Sequence, residues 1–368
     1  MTTVRAAVLE TVGSAVVVQE LHLIAPRAGE VRVRMLASGV CHSDLHVRDG
    51  EWDRPTPIVL GHEGAGIVEA VGPGVESPQV GQLVALSWLI PCGVCRSCRR
   101  GQPWACPDSP SYRHLLLDGT APFSRAGSPV RAYCAIATMA SHAVVPAAAA
   151  IPVPDATDPA VAALIGCCVT TGVGAVLKTA AVPAGASVAV IGLGGVGLSC
   201  VMGAVIAGAS RIVAIDRVAA KLAVAVEVGA THTILADDDA AATSGALRDL
   251  TDGGPDFVFE AIGRVDTAEL AIASLPLGGT AVLVGMTPLG ARAAFDVYPF
   301  VDGSRRILGS NYGFAEPAID FPRYAAWTLD GRLPVERLID RRIALDDLED
   351  AFAAMRRGAY TRQIIDHF

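Results

Sequence analysis

The stretch SVAVIGLGGVGLS, residues 187–199, decides the fold. Apolar residues 188–191 run straight into Gly192-Leu193-Gly194-Gly195-Val196-Gly197, and an apolar, helix-like run follows. The order is strand, glycine turn, helix. The glycines permit a tight turn and close approach of backbone to a pyrophosphate, and the helix start adds N–H donors and a positive dipole end. A glycine motif alone is a weak signal, so its context matters. A second strand-like run, RIVAID (211–216), ends in Asp216, at the roughly 20-residue spacing expected of the ribose-binding acid. A carboxylate there accepts both ribose hydroxyls and repels a 2′-phosphate, which favours NAD over NADP. Lys221, one turn on, is within reach of the same ribose. The plain alternatives are a helix cap for Asp216 and a solvated surface role for Lys221.

Outward from this unit, strands and helices alternate. THTIL, DFVFEAIG and GTAVLVGM read as strands, and 217–228, 239–250 and 266–274 as helices. That alternation predicts a doubly wound α/β domain with a parallel sheet, over residues 169–311. Residues 1–168 read instead as β-rich, with short runs such as EVRVRMLASGV, AGIVEAVG and QLVALSW between glycine and proline turns. From 312 to 368 the chain changes again, ending in a helix (DDLEDAFAAMRRG) and a short strand (RQIIDHF).

Composition excludes several classes. Hydrophobic residues make up 52% and charged residues 18% of 368, enough apolar material for two cores. The net charge is −8 with scattered Lys and Arg, so no basic face for nucleic acid is expected. The segment 179–210 carries no charge and is long enough to span a bilayer. Pro183, its glycines and its strand–turn–helix pattern favour a buried β-α-β unit over a membrane span. The N-terminus, MTTVRAAVLE, lacks the apolar core of a secretory signal, and a cytoplasmic location is expected.

Nine cysteines without a secretion signal point to metal ligation more than to disulfides. Cys92, Cys95, Cys98 and Cys106 lie within a lobe at 91–107. Four thiolates make a closed tetrahedral zinc site with no open position, so its role is structural. An iron–sulfur cluster is the competing reading. A second set is dispersed: Cys41, His62 and Cys167. Two thiolates, one imidazole and an open position form a ligand set for catalytic zinc, which lowers the pKa of a bound alcohol. Taken singly, each residue has a bland reading, as a small buried hydrophobe or a satisfied polar group.

Together these residues resemble the zinc-containing, medium-chain alcohol dehydrogenase family. The matching runs are CHSDLH, GHEGAGIVEAVGPGV, the four-cysteine lobe, IGCCVTTGVGA, GLGGVGLS, D-x4-K, FEAIGR and TRQII. The resemblance implies a GroES-like catalytic domain completed by the C-terminal segment, a Rossmann domain inserted between, and an active site in the cleft. It implies that Cys41, His62 and Cys167 hold a catalytic zinc, giving two Zn²⁺ per chain with the lobe. Glu63 is then the acid that approaches the metal during ligand exchange, Asp44 the carboxylate orienting His62, and Ser43 with His46 the proton relay. His42 and Arg362 are implied pyrophosphate contacts. Ile262, Gly263, Arg264, Val284 and Met286 are implied to line the nicotinamide side. Cys168 stands where the family usually has Gly, and Cys134 and Cys200 match no ligand position.

Trp52, Trp88 and Met139 fall by family spacing in the substrate pocket, making it narrow and apolar. That favours primary alcohols, short aliphatic, allylic or aryl, with the aldehyde as product. One competitor is a thiol-dependent formaldehyde dehydrogenase using glutathione or mycothiol, suggested by the long 107–139 stretch, with Arg113 as the nearest carboxylate-binding candidate. Another is a non-catalytic, NAD-binding redox sensor, against which Ser43, His46 and the three ligands argue. The same long stretch favours a homodimer over a tetramer.

Overall fold

A computed structural model describes every residue except Met1 and Asp238. The chain forms two compact units, Met1–Cys167 with Glu316–Phe368, and Cys168–Ala315.

In the second unit six parallel strands form one sheet, in the order His232–Leu235, Arg211–Asp216, Ser187–Ile191, Phe257–Glu260, Thr280–Leu283, Arg306–Gly309. From Ser187–Ile191 the chain steps outward to Arg211–Asp216 and His232–Leu235 on one side, then crosses back to Phe257–Glu260 on the other side and steps outward again. The order therefore reverses between Ser187–Ile191 and Phe257–Glu260, the place where open α/β sheets leave a crevice at their carboxyl ends. The uncharged 179–210 segment forms the strand Ser187–Ile191 and the helix Gly195–Ala207. The expected helices appear as Ala219–Glu227, Ala240–Leu250 and Val265–Ala273. The edge strand Arg306–Gly309 carries no sequence signal, because its four residues alternate too briefly to mark a strand.

In the first unit, a closed barrel joins Thr2–Leu9, Val17–Leu23, Phe123–Arg125, Ser128–Ala132 and Ile58–Val59. A seven-stranded sheet is built around Glu30–Gly39, which pairs with Glu63–Val71, with His142–Pro146 and with the C-terminal strand Arg362–His367. The end of the chain thus enters the N-terminal core, where Ile343, Phe352 and Ile365 pack with Ala7, Leu9 and Val40.

The run Pro159–Thr179 is helical and is long and apolar enough to cross a bilayer, yet 89% of its most apolar 18-residue window is buried inside the fold. It holds two π-type turns, Ile165–Val169 and Ala175–Thr179. Such one-turn widenings often mark functional sites, and the first contains Cys167.

Candidate active site

Ligand atoms of Cys41, His62, Glu63 and Cys167 lie within 4.8 Å of one another, and all four residues are buried. Three structural devices bring them together. Cys41 is the N-cap of the helix His42–Asp49. His62 and Glu63 enter the strand Glu63–Val71 that pairs with Glu30–Gly39. Cys167 comes from the π-type turn.

Asp44 organises the cluster from one turn into its helix. Fully buried, it accepts a hydrogen bond from the Gly61 N–H at 3.0 Å and meets His62 Nδ1 at 3.2 Å. With Nδ1 engaged, Nε2 is the ring atom left for an ion, and the carboxylate raises its basicity. Burial works to lower the His62 pKa, but the charges of Asp44 and Cys41 win and hold it well above the ordinary imidazole value. The Cys41 thiol is held well below its ordinary value by its hydrogen bond with Cys167, against burial and with help from His62 and Arg362. Cys41 is therefore poised toward thiolate, the form that binds metal.

Glu63 completes the test of whether a cation fits. Its Oε1 lies 3.2 Å from Arg362 Nη2, yet among the described residues neither carboxylate oxygen accepts a hydrogen bond. Burial pushes its carboxyl up to about 7, against the pull of Arg362. A Cβ at Gly39 would come within 2.0 Å of Glu63 Oε2, so only glycine lets this carboxylate in. Buried oxygens with spare lone pairs beside two thiols suit a divalent cation.

The sulfurs of Cys92, Cys95, Cys98 and Cys106 also fall within 4.8 Å of one another. Each of the first three donor bridges is local: Cys95 N–H to Cys92 Sγ at 3.3 Å, Cys98 N–H to Cys95 Sγ at 3.5 Å, and Cys92 N–H to Cys106 Sγ at 3.3 Å. Amides aimed at sulfur stabilise thiolates, and backbone donors at Val94 and Cys95 bring Cys92 down to about 7. Burial, with Cys95 beside it, pushes Cys98 up to about 12. Four thiolates this close together repel one another unless a cation neutralises them.

In the second unit the glycine turn has the shape a dinucleotide needs. A Cβ on Gly197 would sit 1.7 Å from the Gly192 carbonyl oxygen, so the turn closes only around glycine. At Gly194 the same position opens on empty space, and no side chain caps the helix Gly195–Ala207 that it begins. The Asp216 carboxylate accepts the Leu193 N–H at 2.7 Å and the Val218 N–H at 2.9 Å, which ties the second strand to the turn.

Comparison with known proteins agrees. The family model for the alcohol dehydrogenase GroES-like domain matches residues 27–155, and that for zinc-binding dehydrogenases matches residues 195–329. A solved structure from Burkholderia ambifaria, an alcohol dehydrogenase zinc-binding domain protein, is 37% identical, with TM-score 0.93, covering 100% of this chain and 99% of that one. Benzyl alcohol dehydrogenase from Acinetobacter calcoaceticus is 32% identical, with TM-score 0.93 and full coverage of both chains. A protein from Sinorhizobium meliloti described as a zinc-binding dehydrogenase, solved with NADP, is 28% identical, with TM-score 0.83 and full coverage of both. The chain belongs to the zinc-containing medium-chain alcohol dehydrogenase family.

Within this dehydrogenase the remaining expected residues distribute as follows. Ser43 and His46 share the helix His42–Asp49, three residues apart and both half-buried, with exposed His42 at its start. His46 Nδ1 pairs with Glu51, and the imidazole stacks on Trp52 at a centroid distance of 4.7 Å. Arg362 is buried, donating to the Val40 carbonyl at 3.1 Å besides facing Glu63, commitments that its sequence did not announce. Gly192, Gly195, Gly197, Gly263 and Val284 are buried, Val196 and Lys221 half-buried, and Ile262 and Met286 exposed. Arg264 pairs with Asp266. Cys168 and Cys200 are fully buried.

Of the residues expected in the pocket wall, Trp88 is half-buried and Trp52 and Met139 are buried. Met139 is fully enclosed in the core with Leu60, Trp52 and Tyr133. Tyr133 stands edge-on to His62 at 5.5 Å between ring centroids and stacks on His114 at 5.4 Å. Neither residue carries a sequence signal, since their meeting depends on backbone at His114, Cys134 and Ala135 held at positive φ. Glu51 was legible in principle, as a carboxylate just past the helix-ending Gly50.

Proposed function

We propose that this chain is an NAD-linked dehydrogenase that interconverts primary alcohols, aryl or allylic ones above all, and their aldehydes. The observation that carries the reading is the meeting of Cys41, His62 and Cys167 with Asp44 behind the imidazole. Cys41, His62 and Cys167 would hold the catalytic zinc, and Cys92, Cys95, Cys98 and Cys106 a structural one. When bound, zinc supplies Lewis acidity and NAD the hydride acceptor. Asp44 fixes the tautomer and direction of His62. Ser43 takes the hydroxyl proton, and His46 passes it to solvent with Glu51 accepting at Nδ1. Asp216 and Lys221 address the adenosine ribose, and the acid disfavours a 2′-phosphate. The aromatic preference is supported by Trp52 and Trp88 and by the benzyl alcohol dehydrogenase relative.

A panel of primary alcohols and aldehydes with NAD(H) and NADP(H), followed at the nicotinamide absorbance, tests this. A higher kcat/KM with NADP, or formaldehyde turnover only with glutathione or mycothiol, would overturn it in its present form. Elemental analysis should find two zinc ions per chain. We further propose a homodimer formed through the second unit. Its edge strand Arg306–Gly309 and the exposed Leu289, Val297, Tyr298 and Val301 offer an unpaired edge beside an apolar face. A monomer by light scattering would refute it.

A further inference from the structure

At the carboxyl end of the strand Phe257–Glu260 one buried side chain gathers the surrounding loops. Glu260 is 1% exposed. Its Oε1 accepts hydrogen bonds from the Ile262 N–H at 2.9 Å, the Gly263 N–H at 2.9 Å and the Thr267 hydroxyl at 2.8 Å. Its backbone carbonyl accepts two more, from the N–H groups of Val284 and Gly285, each at 2.9 Å. One residue thus ties down both 261–263 and 284–286, the loops that follow adjacent strands beside the topological switch.

The tolerance here is small. A Cβ on Gly285 would stand 2.1 Å from the Gly263 nitrogen, and one on Gly263 would stand 2.5 Å from the Met286 carbonyl oxygen. A Cβ on Gly192 would stand 2.2 Å from Ile262 Cγ1, so the Ile262 side chain lies directly over the glycine turn. Ile262 and Met286 are nevertheless 45% and 59% exposed, an apolar pair held open at the sheet's crevice. Burying a carboxylate is costly unless donors satisfy it, and here the donors are the amides of the loop itself.

We propose that Glu260 is a positioning residue for the nicotinamide half of the cofactor, acting by pre-setting Ile262 and Gly263 against Gly192. This rests on reading Ile262, Gly263 and Met286 as the nicotinamide side. Pre-organisation adds affinity by removing the cost of ordering the loop at binding. The carboxamide of Glu260→Gln keeps an acceptor for all three donors, whereas Glu260→Ala keeps none.

The test compares binding of NADH with that of ADP-ribose, which lacks the nicotinamide. In Glu260→Ala the NADH Kd should rise about tenfold while that of ADP-ribose stays within about twofold, and Glu260→Gln should stay near wild type for both. Thr267→Val, which removes one donor, should give the same split at about threefold and serves if the alanine variant does not fold. An equal loss for both ligands, or no loss for either, overturns the proposal. If the wild type binds neither ligand, the cofactor reading itself fails. Amide exchange at Ile262 and Gly263 then still reports the positioning, with protection lost in Glu260→Ala and kept in Glu260→Gln. Unchanged protection in the alanine variant refutes it.

Discussion

The two cysteine clusters of this dehydrogenase differ in almost every physical respect. The lobe cluster draws its four sulfurs from Cys92–Cys106, and three of those residues are partly exposed. Its donors are backbone amides of the same loop. The other cluster draws on positions 41, 62 and 167, is buried throughout, and takes its order from Asp44 and from strand pairing far along the chain. The first can be assembled by a metal, since between Cys92 and Cys106 the fold buries Cys106 alone and so gives the loop little apolar packing of its own. The second is assembled by the fold, which presents a prepared donor set. A local cluster should therefore report on stability, and a dispersed one on chemistry.

The largest expected effect breaks the chemical half. Cys41→Ala or His62→Ala should cut kcat by about a thousandfold or more, since each removes a ligand from the reacting centre. Folding and NADH binding should persist, as the glycine turn and Asp216 belong to the other unit. Turnover near the wild-type level would sink the site assignment.

Next, Cys106→Ser should remove one zinc of two by elemental analysis and lower Tm by about 5–10 °C. Remaining molecules should retain much of their kcat. If kcat and Tm fell together, the two clusters would not be separable as argued.

A smaller change separates ligand from support. Asp44→Asn should weaken metal retention at the buried site about 10–100-fold on dialysis against a chelator, leaving the lobe metal in place. Equal loss at both sites would contradict the role drawn from the His62 contact.

The smallest expected effect concerns the segment that follows the lobe. His114 accepts the Cys134 N–H at Nδ1 and stacks on Tyr133, which in turn borders His62. Burial, with the charges of Arg54 and Arg131, pushes its pKa down from 6.5 to about 4. The unfolded chain then binds the proton more readily, so stability is full above pH 6.5 and falls as pH drops toward 4. The loss should be about 1–3 kcal/mol across that window. His114→Gln keeps an acceptor and should flatten this acid limb in denaturant titrations, while an unchanged slope would place the proton elsewhere.

The order of legibility follows the range of the interactions. The glycine turn and its acid lie within 187–216, and the lobe within 92–106, so local sequence specified both. Cys41, His62 and Cys167 are too far apart in sequence for spacing to link them, and only the resemblance of the whole chain groups them. Glu260 stood inside the quoted FEAIGR run without a role, because its partners are backbone amides that no side-chain pattern encodes.

Sequence by itself determined the alternation of elements, the identity of the donor atoms and the family, because these depend on residue type and on spacing over a few turns. Tertiary structure alone decided which donors meet, that Arg362 faces Glu63, and that Tyr133 borders His62. Those contacts join residues up to 322 positions apart in the chain, as with Arg362 and the Val40 carbonyl. At that range pairing is set by packing and strand register, which no short stretch of sequence contains.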